Sequence, residues 1–149
     1  MKVIRIAMFF SLITFSFNAV GQTYDHSLGV RAGYSSGITY KGFLRYRMTA
    51  IEADVLYNRH GFNLTGLYEH HIEPVNHQRW FIYIGGGVFG GTWEGKPSAG
   101  ITAVAGIEYT VRDMPLNFCM DWKPMMNAYQ LYELDLVDFG VSIRYRFSL

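Results

Sequence analysis

The sequence predicts an all-β fold, an eight-stranded antiparallel up-and-down β-barrel that crosses a membrane. Three observations predict it. Eight segments after residue 21 alternate with a period of two, as strands with a different environment on each face do. One parity carries aliphatic and aromatic side chains, while the other carries glycine, small polar residues and charges of both signs. Short stretches with turn chemistry join the segments, as hairpins require.

The chain begins "MKVIRIAMFFSLITFSFNAVGQ", with Lys2 and Arg5 ahead of an apolar run from Ile6 to Phe17. Ala19 and Gly21 then stand at the −3 and −1 positions of a cut before Gln22. This is the three-part pattern of a secretory signal peptide over residues 1–21, and it leaves one barrel domain over 22–149. The apolar run is shorter than the roughly 20 residues a spanning helix needs. Removing Lys2 and Arg5 from the 13 basic residues leaves 11 against 12 acidic, a net charge near −1 that gives no support for nucleic-acid binding. Cys119 is the single cysteine, so an intrachain disulfide is excluded and the thiol reads as buried and inert.

Taken in order, the first segment sets Leu28, Val30, Ala32 and Tyr34 against Ser27, Gly29, Arg31 and Gly33. The second sets Ile38, Tyr40 and Leu44 against Thr39, Lys41 and Arg45. In the third, Ile51, Ala53, Val55 and Tyr57 oppose Glu52, Asp54 and Asn58, and in the fourth Phe62, Leu64 and Tyr68 oppose Asn63, Thr65 and Glu69. The fifth, "WFIYIGGGVFG", is apolar or glycine on both parities and does not declare a face. Ile101, Ala103, Ala105, Ile107 and Tyr109 alternate with Thr102, Gly106, Glu108 and Thr110 in the sixth. The seventh alternates Leu116, Phe118, Met120 and Trp122 with Asn117, Cys119, Asp121 and Lys123. The eighth, "DFGVSIRYRFSL", alternates Phe139, Val141, Ile143, Tyr145 and Phe147 with Gly140, Ser142, Arg144 and Arg146.

Barrel geometry decides which parity is inside. Eight strands leave an interior just wide enough for side chains to fill. The aromatic parity is too bulky for that tube, whereas the glycines and small polar residues of the other fit it. The same inward parity carries Arg31, Lys41, Arg45, Lys123, Arg144 and Arg146, matched in number by Glu52, Asp54, Glu69, Glu108, Asp121 and Asp138. Buried charge is costly unless paired, so this set reads as a structural ion-pair network lining the lumen. Asp121 is expected to face Arg144 on the neighbouring eighth strand, with Arg146 as the other choice. Tyr109, Tyr145 and Phe147 lie toward one set of strand ends and Tyr34, Tyr57 and Trp122 toward the other, the arrangement of two aromatic girdles at membrane interfaces. The apolar parity is then expected to face lipid.

Three stretches, "YIGGGVFGG", "AGIEYTVRDMPLNFCMDWKP" and the terminal "GVSIRYRF", resemble the small outer-membrane β-barrel proteins of Bacteroidota-type envelopes, which are OmpA/OmpX-like in architecture. The resemblance implies residence in the cell outer membrane among its lipids. It also implies insertion by the barrel-assembly machinery, whose signal lies in the last strand and would here use Phe147. Most members of this family carry no assigned activity, so the resemblance implies a place and a shape, not a reaction.

Candidate chemistry is thin. His70 and His71 are adjacent on a strand and point to opposite faces, so they do not ligate one metal together, and His77 adds only a loose third. His26 beside Ser27, and His60 near a rim, are the raw material for a lipid-modifying hydrolase, but neighbouring strand residues diverge. Gly85 to Gly87 lack the Lys-Ser/Thr ending of a phosphate loop; they read as relief of crowding against a neighbouring strand or against a lumen side chain such as Tyr83. No enzyme activity, metal or cofactor is expected. Two connections are candidates for function, on the extracellular side if the N-terminus starts in the periplasm: Gly90 to Ala99 with Trp93, and Pro124 to Asp135 with Met125, Met126, Tyr129 and Tyr132. The second is expected to pack over the barrel mouth or dip into the lipid interface, or else to dock an envelope partner. A structural or interaction role is the first expectation; a narrow channel for small solutes and a lipid-modifying enzyme are the alternatives.

Overall fold

The computed structural model describes residues 25–44, 48–72, 79–129 and 133–149. The expected leader, Arg45, His77 and Tyr132 lie outside the described residues. Ten strand segments follow one another: β1 (His26–Gly33), β2 (Ser36–Phe43), β3 (Thr49–Asn58), β4 (Gly61–Ile72) and β5 (Trp80–Trp93), then β6 (Lys96–Thr110), β7 (Leu116–Trp122), β8 (Met125–Asn127), β9 (Leu134–Asp135) and β10 (Phe139–Phe147). Each pairs antiparallel with its chain neighbour up to β6–β7, and β10 returns to pair with both β7 and β1. The sheet therefore closes on itself.

These ten segments make eight staves. β7 and β8 keep one register against β6, since Ala105 pairs with Trp122 and Thr102 with Met125. The interruption falls at Lys123-Pro124, where proline removes an amide donor. The Pro124 carbonyl still accepts from the Ala103 N–H at 3.0 Å. β9 and β10 likewise form the last stave, but Met125 pairs with Asp135 while Trp122 pairs with Phe139. The last stave thus carries one residue more than its partner, a bulge within 136–138. The result is the closed eight-stranded antiparallel barrel with sequential strand order that the alternation predicts.

Two expected loops are corrected here. Gly90 to Ala99 is not a loop: β5 and β6 run through it to a two-residue turn at Glu94-Gly95, with φ of 49° and 78°. Positive φ at both central residues gives the twist that tight hairpins need. The Pro124 to Asp135 connection also begins and ends as strand, with Met125 buried in the interior and Met126 exposed on the outer wall. Met125 and Met126 follow the strand alternation that the seventh segment had already started.

Burial alternates along every long stave, and it is inverted relative to a water-soluble core. Val30, Ile38, Leu64, Val88, Ile101 and Met120 are exposed outside, while Arg31, Lys41, Glu52, Glu69 and Arg144 are buried inside. The fifth segment resolves with Tyr83 and Phe89 inward and Ile82, Ile84 and Val88 outward. Inward glycines make this curvature possible. A Cβ on Gly87 would collide with the backbone carbonyl of Gly66 on β4, and one on Gly106 would collide with the Tyr83 ring.

Candidate functional site

The interior is the candidate site, and every stave supplies it. At its centre, Lys41 of β2 lies 2.7 Å from Glu69 of β4, 3.2 Å from Glu52 of β3 and 3.6 Å from Glu108 of β6. Glu52 is the hub: it also meets Lys123 at 2.6 Å and Arg144 of β10 at 2.8 Å. Lys123 binds Asp54 as well. Arg144 completes its contacts on Thr39 and on the Cys119 sulfur, 2.9 Å away. The expected inert Cys119 is thus buried beneath a guanidinium. The Lys41 ammonium stands 4.0 Å from the centre of the Tyr83 ring, a cation–π contact in a site closed to water.

Nearer one mouth, a smaller group is centred on Arg31 of β1. Its guanidinium donates to Asp121 at 2.7 Å, to Asp138 at 2.9 Å and to the Ser35 carbonyl at 2.7 Å. The expected Asp121–Arg144 pair is corrected. Arg144 sits opposite Asn117 on β7, whereas Asp121 sits opposite Gly140. Four residues along a strand are about 13 Å, too far for a direct pair. Gly140 lets the correct partner through: a Cβ there would strike the Arg31 guanidinium, which crosses β10 to reach Asp121. Arg146, the other expected partner, lies at the opposite end and donates to the carbonyls of Val111 and Met114 in the β6–β7 turn.

Ten of the twelve expected lumen charges are buried, Arg146 is part-exposed and Arg45 lies outside the described residues. Among the described residues, the buried cations are Arg31, Lys41, Lys123 and Arg144, and the buried carboxylates are Glu52, Asp54, Glu69, Glu108, Asp121 and Asp138. Sequence reasoning missed one member of the centre. His71 is buried, its Nε2 is 3.8 Å from Glu69 and 3.9 Å from Glu108, and its ring stacks on Tyr83 at 5.2 Å. The signal was present, since His71 shares the inward parity of Glu69. His70 points outward, as alternation requires. His26 and Ser27 also diverge: Ser27 is fully buried, while His26 bonds the Tyr40 hydroxyl at 2.8 Å.

Tyr109, Tyr145 and Phe147 fall at the end where β1 begins and β10 ends, and Trp80 packs on Tyr109 at 4.8 Å. Tyr57 and Trp122 lie toward the other end, where Trp122 stacks on Phe139 at 6.0 Å. Tyr34 is there too, in the β1–β2 turn, and also lines the mouth. Trp93 stacks on His60 at 4.3 Å, and Tyr129 is exposed beyond β8. Chemically, the centre is a cross-link: its ion pairs tie β2, β3, β4, β6, the β7–β8 stave and β10 to one another. The chain matches no protein-family model, and neither a curated protein nor a solved structure is similar to it.

Proposed function

We propose that the protein is an integral outer-membrane β-barrel of the small family it resembles, exported by its leader and inserted by the barrel-assembly machinery. Its role is structural or interactive: a filled lumen is a poor conduit, and outer-membrane lipid or an envelope protein at the extracellular end would be its partners. One observation carries this reading. A closed barrel buries its charges and presents apolar side chains around its outer wall, Leu28, Ile51, Ile107, Phe118 and Ile143 among them. Water would penalise such a surface, whereas lipid requires it, together with a wall whose backbone groups are paired internally.

Heat-modifiability tests it. Folded in detergent, the chain should migrate differently on a gel before and after boiling, and a detergent-free soluble protein with one mobility would overturn the proposal. Ile143→Arg adds a charge to the outer wall, for which insertion into bilayers should weaken by about 2–4 kcal/mol. If water surrounds the wall instead, the same change should leave folding intact and raise solubility. Planar-bilayer recording addresses the channel alternative, for which steady single-channel conductance is the required result.

A further inference from the structure

The lumen is not filled along its whole length. Where β5 turns into β6, a cavity of about 470 Å³ opens inside the wall, within the range of small-molecule sites. Tyr34, Phe89, Trp93 and Met125 give it aromatic and apolar sides, and Asn63 and Asp135 give it polar ones. Asn63 is 3% exposed, and its side-chain oxygen has no partner among the described residues. Asp135 presents a second such acceptor. Its Oδ1 takes the Val137 N–H at 3.1 Å, while its Oδ2 is buried without a partner.

The charged residues that line this mouth have one sign. Glu133 and Asp135 belong to the wall, and among the described residues no lysine, arginine or histidine does. Arg59 and Lys96 stand exposed at the hairpin turns, outside the lining. In the neighbouring ion cluster Arg31 is shared by two aspartates, one cation for two carboxylates.

We propose that this mouth binds a small organic cation, an ammonium group carried on an apolar or aromatic body. Ammonium offers donors only, and the unpartnered groups here are acceptors. Aromatic side chains favour a cation and its apolar body together. An anionic ligand would meet Glu133 and Asp135 with no cation in the described lining to neutralise it. A neutral alcohol could satisfy Asn63 but would gain nothing from the charge. The Asp135 carboxylate takes the ammonium, Asn63 accepts a second N–H, and the body lies against Trp93 and Phe89. His60, stacked on Trp93, keeps the indole in place. The site opens at the barrel mouth, with Asn63, Phe89 and Met125 lining it from inside and Leu134, Leu136 and Val137 at its rim.

The test uses the chain folded in detergent micelles, with folding checked by the heat-shifted gel band. Benzylammonium, benzyl alcohol and benzoate are titrated in turn by calorimetry and tryptophan fluorescence, and the empty-micelle signal is subtracted. Benzylammonium should bind saturably and at least ~10-fold tighter than benzyl alcohol, the size expected of one charge-assisted contact. Its affinity should fall with added salt. Asp135→Asn should remove the preference for the cation, and Ser98→Phe should remove binding by filling the cavity. Asp113→Asn, at the opposite end, should change neither. Equal binding of the cation and the alcohol, tighter binding of benzoate, or an unchanged preference in Asp135→Asn would each overturn the proposal. So would the absence of saturable binding.

Discussion

The two ion clusters of the lumen solve the same problem in different ways. In the centre, Lys41, Glu52, Glu69, Glu108, Lys123 and Arg144 share partners, so Lys41 and Lys123 each reach a second carboxylate and Glu52 reaches three cations. Toward the mouth, Arg31 alone serves Asp121 and Asp138. Both clusters are closed to solvent, so the cost of removing charge from water is similar. What differs is redundancy. A shared network keeps direct partners when one member is lost; without Arg31 the two aspartates keep no cation in contact, and Lys123, whose charge also reaches Asp121, is held by Glu52 and Asp54. The mouth is thus the electrostatically fragile end of the plug, and it is the end beside the open cavity.

The largest expected effect follows from that fragility. Arg31→Met leaves two carboxylates buried together, and stranding a charge in this way typically costs about 3–5 kcal/mol. Urea unfolding in liposomes reads the loss. Adding Asp121→Asn and Asp138→Asn should recover most of it, and if the recovery is absent the aspartates are not neutralised by Arg31.

A smaller loss is expected at the centre, although Glu52 reaches three cations within 3.2 Å there. Glu52→Gln keeps the shape and leaves Lys41 on Glu69 and Lys123 on Asp54, so the loss should be that of charged hydrogen bonds, about 1.5–3 kcal/mol. If Glu52→Gln were as damaging as Arg31→Met, redundancy would not separate the two ends.

Steric variants sharpen the same contrast without removing charge. Gly106→Ala pushes against the Tyr83 ring and the Met120 carbonyl, and Gly140→Ala pushes against the Arg31 guanidinium. Each should cost about 1–3 kcal/mol, as over-packing does. Only Gly140→Ala should also lower the coupling measured between Arg31 and Asp121 in a double-mutant cycle. The smallest effect belongs to the outer wall. Nothing lies within 4 Å of a Cβ built on Gly66, so Gly66→Ala should stay within about 0.5 kcal/mol of the parent.

Much of the fold was legible in residue order. The period of two names the strands, and the volume of Tyr57, Tyr68 and Trp122 against the room inside an eight-stranded barrel names the outer face. Placing Lys41, Glu52, Glu69 and Arg144 inside needed nothing more than parity. The fifth segment was not legible, because Ile82 and Tyr83 are equally apolar to a pattern count. The choice falls to Tyr83 because its ring lies under Lys41 and against His71, contacts that exist only after β2, β4 and β5 come together.

By itself, then, the sequence determined the alternation and, outside the fifth segment, which face of each strand is buried, because both follow from side-chain period and from volume against the room inside the barrel. Which ions meet was decided only by the tertiary structure. Partner choice depends on register and stagger across several strands, and these are set by all the hydrogen-bonded ladders at once. Arg144 and Asp121 share a face yet stand four residues apart, while Arg31 reaches Asp121 across Gly140. The mouth cavity is likewise a property of the closed wall: Asn63, Trp93 and Asp135 come from three different staves and meet only where the barrel brings their ends together.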